Sequence, residues 1–142
     1  SYDENTAGGL MTSEPVVLGP TTTVAEALAQ IRARELAAEL AAQVFVTQPP
    51  MSTPTGRFLG VVGFQRLLRE PPSTPLGQCL NEAQEPVAPD LPLRDVAERL
   101  ASYDLLAVPV CDQAERLVGA VTVDDVLDHV LPAGWRRRVV RR

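Results

Sequence analysis

The chain says one thing twice. Gly56-Arg57-Phe58-Leu59-Gly60-Val61-Val62 returns as Glu115-Arg116-Leu117-Val118-Gly119-Ala120-Val121, and each copy follows an apolar run and precedes a short apolar helical pattern. A recurring half-domain must bury its apolar face against its twin, so a repeat of this size restricts the fold more than any single segment does. Upstream, Val24, Ala27, Leu28 and Ile31 fall at helical spacing, as do Leu93, Val96, Ala97 and Leu100. Val44-Phe45-Val46 and Val108-Pro109-Val110 read as matching buried strands. The offset between copies falls from 69 (Val24 to Leu93) to 64 (Val46 to Val110) to 59 (Gly60 to Gly119). The first copy therefore carries two extra stretches. One lies in the Ala-rich segment Glu35 to Gln43, the other in the Pro/Ser/Thr run Gln48 to Thr55, placed at a hairpin tip where insertions cost least.

Each copy thus reads as a short extended segment (Val16-Val17-Leu18; Val87-Ala88), helix, strand, hairpin, strand, helix. A small three-stranded sheet with helices on one face leaves its other face bare. Two such units should pack sheet to sheet, pseudo-symmetrically, into one α/β body. With 142 residues there is enough chain for a real core, and with only 4% aromatic residues that core must be built from Val, Leu and Ala.

The net charge of −5 conceals an asymmetry. Arg136, Arg137, Arg138, Arg141 and Arg142 lie in the last seven residues, so residues 1 to 135 hold 18 acids against 8 arginines, a net −10. An acidic body argues against nucleic acid as a partner and leaves room for cations. The tail from Trp135 reads either as a patch for an anionic membrane surface or as a solvated chain end. Cys79 and Cys111 have no Cys-x-x-Cys spacing and suggest neither a disulfide framework nor a zinc site; Cys111 reads as a small core residue. No run approaches the roughly 18 apolar residues of a membrane helix. The expectation is a soluble, cytoplasmic piece of a larger protein, touching a membrane only through that parent.

The hairpin turn rich in Asp and Arg, the strand Leu117-Val118-Gly119-Ala120-Val121 and the helix start Thr122-Val123-Asp124-Asp125-Val126 resemble a cystathionine-β-synthase (CBS) domain, and the repeat resembles a tandem CBS pair, or Bateman module. Three further segments are similar to the MgtE magnesium transporter family: Tyr2 to Thr12, Ser102 to Val110, and Val121 to Asp128. The resemblance implies a lead-in over 1–9, a first repeat over 10–70, a linker over 71–78, a second repeat over 79–131 and a basic tail over 132–142. It also implies a homodimer formed through the CBS helices and adjoining domains in a longer protein. The Pro132 and Gly134 just past the final helix should stop it, and no pore segment is present in this sequence, which departs from the transporters.

CBS pairs resemble one another in holding adenosine nucleotides with a Gly-x-x-Thr/Ser-x-x-Asp segment. Gly119, Thr122 and Asp125 match it. The chemistry is sound: a glycine admits close approach, a helix N-terminus favours anions, and a carboxylate accepts ribose hydroxyls. Adenine is then expected against Val87, Ala107, Val108 and Pro109, with ATP or AMP as the nucleotide. Thr122 and Asp125 also read as a capping box, and the two readings are compatible. In the first copy Gly63 and Arg66 stand where the hydroxyl and carboxylate should be, which predicts one site per chain, with Arg66 either meeting phosphate or lying on the surface. For regulatory Mg²⁺, Asp124 and Asp128 share one helix face, with Asp104 and Glu115 adding charge. The MgtE resemblance places such acids at interfaces with another subunit or with a preceding domain, so affinity in this chain should be weak. His129 has no ligand partner at metal spacing and reads as a surface or capping residue, and one histidine cannot furnish a catalytic triad; no enzyme activity is expected. The sequence reading is a sensor of Mg²⁺ and an adenosine nucleotide that controls a pore or partner by closing acidic faces upon cations. The alternatives are a ligand-free dimerisation or docking scaffold, and the regulatory half of a soluble enzyme.

Overall fold

The computed structural model describes residues 2–12, 15–34, 38–81, 84–103 and 105–131. Asp104 and the Arg-rich tail, both singled out above, lie outside them.

The first copy is a three-stranded sheet. β1 (Val17–Leu18) runs parallel to β2 (Gln43–Thr47), which pairs antiparallel with β3 (Phe58–Gly63). The crossover from β1 to β2 carries α2 (Val24–Ala33) and the short α3 (Ala38–Ala41), the latter built from the Ala-rich insertion; α4 (Phe64–Arg69) follows β3. Thr23 starts α2 with a capping box: its hydroxyl accepts from the Glu26 amide at 3.2 Å, and the Glu26 carboxylate accepts from the Thr23 amide at 2.9 Å.

The second copy repeats the plan with α5 (Leu93–Ser102), β4 (Ala107–Cys111), β5 (Leu117–Thr122) and α6 (Val123–Val130). Its expected third strand shrinks to a parallel bridge between Val87 and Val110. Pro86 and Pro89 flank Val87, and a residue without an N–H cannot extend a ladder. Helical residues picked from periodicity face inward: Val24, Ala27, Val96 and Leu100 are buried.

The two copies exchange segments. Thr12, at the start of the span expected for the first repeat, pairs in both directions with Ala120 of β5, while Asn81, at the start of the span expected for the second, pairs with Val61 of β3. Thr6 bridges to Pro92 ahead of α5, and Pro75 bridges to Thr23 ahead of α2. All three correspondences, Thr6 with Pro75, Thr12 with Asn81 and Thr23 with Pro92, obey the 69-residue offset of the repeat. The segment leading into the first copy, including α1 (Ala7–Leu10), thus completes the second, and the chain between copies completes the first.

Three apolar clusters follow. One joins Val24, Val44, Val62 and Leu76 within the first copy; one joins Ala7, Val96, Val108 and Val121 within the second. The third, Phe45, Val61, Cys111, Leu117 and Ala120, lies between the sheets, as a bare sheet face requires. Near the pseudo-twofold axis the equivalent residues Arg57 and Arg116 form an antiparallel backbone bridge, and at Gln43 and Ala107, also equivalent, the Gln43 side-chain Nε2 donates to the Ala107 carbonyl at 3.2 Å. The Gln48 to Thr55 insertion is tied down at its end and is no free tip. Thr55 is buried, its amide donates to the Leu117 carbonyl at 3.0 Å, and its hydroxyl accepts from the Leu117 amide at 2.9 Å.

Candidate functional site at the start of helix α6

Thr122 ends β5 opposite Ala107 and begins α6. Its backbone is extended (φ −94°, ψ 157°), which frees the hydroxyl to turn onto the helix. That hydroxyl accepts from the Asp125 amide at 3.0 Å, and the Asp125 carboxylate accepts from the Thr122 amide at 3.1 Å. The capping box expected from the sequence is therefore formed. Thr122 is buried and Asp125 half-buried, so the pair offers one hydroxyl, one carboxylate and a helix N-terminus at a single point. A ligand engaging both side chains must replace the bonds they make to each other. In the first copy the equivalent Gly63 caps α4 with no side chain, and Arg66 is an exposed residue whose Nε meets Glu70 Oε2 at 2.6 Å. Arg66 sits as the surface reading had it.

The remaining nucleotide candidates are divided. Gly119 does admit a close approach, but the chain's own lead-in takes it: a Cβ there would lie 2.6 Å from the Thr12 carbonyl oxygen and 2.8 Å from Met11 Sδ. Ala107, Val108 and Pro109 are all buried in β4. The Ala107 carbonyl accepts from the side-chain amides of both Gln43, at 3.2 Å, and Gln84, at 2.9 Å. Val87 is buried beyond β4, on the edge away from β5. It lines a cleft of about 410 Å³ walled by Phe58 to Gly60 of the other copy, Gln84 to Ala88, Cys111, Asp112 and Glu115, and neither Thr122 nor Asp125 is among its walls. The structure thus brings together Thr122, Asp125 and, by strand register, Ala107; Gly119 pairs with Val110 further along the ladder beneath Met11 and Thr12, and Val87, whose amide donates to the Pro109 carbonyl at 2.9 Å, lines the cleft between the copies. Sequence reasoning missed Met11, Thr12, Gln43 and Gln84. The 69-residue offset between Thr12 and Asn81 was the available signal for the first two; nothing marked the glutamines.

Of the acids proposed for Mg²⁺, Asp124 is half-buried and Asp128 exposed on α6, and each is already engaged within the chain. Glu115 lies 3.7 Å from Arg57. Among the described residues no group of three or more His, Cys, Asp or Glu side chains gathers as a metal site. That set fits only a hydrated Mg²⁺ held by one or two carboxylates, since this ion keeps most of its waters. His129 is exposed in the last turn of α6, and its Nε2 lies 2.8 Å from Asn5 Oδ1. Cys111 is buried, and its thiol is pushed up to about 12, first by burial and then by Asp112 and Glu115, which keeps it inert near neutral pH. No helix among the described residues is long and apolar enough to cross a membrane.

The chain is similar along most of its length to proteins of magnesium transport. It is 38% identical over 127 residues to the magnesium transporter MgtE of Thermus thermophilus, covering 89% of this chain and 27% of that protein. It is 33% identical to MgtE of Enterococcus faecalis, covering 91% and 27%. The chain therefore spans about a quarter of those transporters. The fold matches a crystal structure of the cytosolic domain of the Mg²⁺ channel MgtE in complex with ATP, with a TM-score of 0.78, 35% identity, and coverage of 91% of this chain and 50% of the other. It also matches the cystathionine β-synthase pair domain of a candidate Mg²⁺ transporter from Shewanella oneidensis, with a TM-score of 0.79, 26% identity, and coverage of 97% and 74%. The CBS domain model matches residues 7–73 and 85–132, so both halves of the repeat are accounted for, and the chain belongs to the CBS domain family as a tandem pair.

Proposed function

We propose that this chain is the regulatory sensor module of an MgtE-like magnesium transport protein, binding ATP through the second copy and responding to Mg²⁺. The observation that carries this reading is the likeness, at 35% identity over 91% of the chain, to a cytosolic MgtE domain whose crystals hold ATP. The module performs no catalysis in this reading, lies on the cytoplasmic side of its parent, and dimerises through its helices. Nucleotide sits at the start of α6. The N–H groups of the first turn favour phosphate, and Asp125 accepts from the ribose hydroxyls. Mg²⁺ is held weakly by Asp124, Asp128 and Asp104, singly or in pairs, with water completing the shell. Ligand binding acts on the parent only through the difference in affinity between its open and closed arrangements.

Calorimetric titration of the chain with ATP, in the presence and absence of Mg²⁺, tests the reading. One ATP per chain is expected. Asp125→Asn keeps an acceptor for the Thr122 amide and removes the charge, and it should weaken binding about tenfold or more. Arg66→Ala should leave binding unchanged. Absence of binding under every condition would favour a docking scaffold instead, a reading supported by the missing signature in the first copy and by the mutual satisfaction of Thr122 and Asp125.

A further inference from the structure

The lead-in segment is fastened to the second copy at β5, the strand that runs into α6, and at the last turn of α6. At the first point, Thr12 makes two backbone bonds with Ala120, of 2.8 and 3.0 Å, two residues before the Thr122 cap. At the second, Asn5 Oδ1 meets His129 Nε2 at 2.8 Å in the last turn. Between these points Ala7 is fully buried in the second core, and the amides of Ala7 and Gly8 donate to the carbonyls of Leu91 and Pro89. The Asn5 carbonyl also accepts from the Leu93 amide at the start of α5. Met11 and Thr12 close over Gly119 with no room for a methyl group.

We propose that residues 5–12 act as a strap that moves with α6 as one mechanical unit, so that a change at the Thr122 and Asp125 cap alters the hold on the lead-in. The physical ground is contiguity. Helix α6 is tied to the strap at its last turn through His129 and shares a buried cluster with Ala7 through Val126, while β5, which runs straight into the Thr122 cap, is paired with Thr12. A tilt of α6 or a change at its cap therefore loads the strap, and packed contacts of this kind shift together. The strap also gives the module an output. A ligand at the cap, which rests on the nucleotide reading above, acts through residues 5–12 on the N-terminal side of the chain. By reciprocity, a pull on that side alters the cap.

Residue-resolved amide exchange on the full chain, comparing the parent sequence with Asn5→Ala and His129→Ala, tests the unit without any ligand. Loosening the Asn5 to His129 contact should raise exchange several-fold at Thr12 and also at Asp125, whose amide is held by the Thr122 hydroxyl at the far end of α6. Faster exchange confined to the residues around Asn5 and His129 would overturn the proposal. A second arm adds ATP at a concentration shown by calorimetry to saturate the chain. Altered exchange at Ala7 to Thr12 is expected, and bound ATP with unaltered exchange there would overturn it as well. If ATP does not bind, the nucleotide reading fails, and the strap stands or falls on the two variants.

Discussion

The two copies share a backbone plan and differ in what they place at the same point. Where the second puts Thr122 and Asp125 at the start of a helix, the first puts Gly63 and Arg66; one helix start is capped by side chains and the other is bare. Where the first fills its core with Leu76 from the linker, the second uses Ala7 from the lead-in, and both are fully buried. A duplicated fold tolerates such divergence because the shared apolar pattern holds the architecture, leaving the polar positions at the helix starts free to specialise.

Predictions that probe this contrast begin in the cores. Leu76→Ala should cost about 2–5 kcal/mol in urea unfolding, whereas the converse change in the other copy, Ala7→Leu, should cost about 1–3 kcal/mol by overpacking. Equal, negligible effects would mean that the exchanged segments do not complete the two cores. Gly119→Ala comes next: its methyl group meets the Thr12 carbonyl, and a loss of about 1–3 kcal/mol is expected, with faster exchange across the lead-in. The caps follow. Thr122→Ala should lose about 0.5–2 kcal/mol, while Gly63→Ser, at a site with open space around it, should gain a few tenths. A similar loss from both would show that the helix starts are not differently capped.

The smallest effect is on pH. The Thr23 amide, followed by its hydroxyl, holds the Glu26 carboxyl below its ordinary value. A lowered carboxyl contributes stability above its unfolded value, about 4.3, and loses it as pH falls through the folded one. Unfolding midpoints followed downward from pH 5 should therefore decline slightly less in Glu26→Gln than in the parent chain, and parallel curves would remove Glu26 from the account.

Apolar spacing exposed the repeat, its helices and its strands, because burial imposes those periods directly. The capping box at Thr122 was equally visible, since it depends on residues three apart. Contacts across the dyad were hidden for a physical reason: they join residues distant in sequence through backbone bonds, which carry no side-chain signature. Thus Thr12, expected at the start of the first repeat, pairs with β5 of the second. Val87, expected beside Ala107, Val108 and Pro109, does bond to the Pro109 carbonyl, but the cleft it lines together with β3 of the other copy had no signal in the sequence. Thr55 was placed in a free loop because proline and serine signal turns, and it is buried against Leu117. Gln43 and Gln84 were invisible because glutamine's partner, the Ala107 carbonyl, is chosen by the fold alone.

The sharpest test of the contrast between copies is an ATP titration of the isotopically labelled chain, followed amide by amide. A nucleotide held by the second copy predicts saturable shifts centred on Gly119 to Val126, with Gly60 to Leu67 little changed. Shifts centred on Gly60 to Leu67, or none at any concentration, would contradict the assignment of ligand sensing to the second copy.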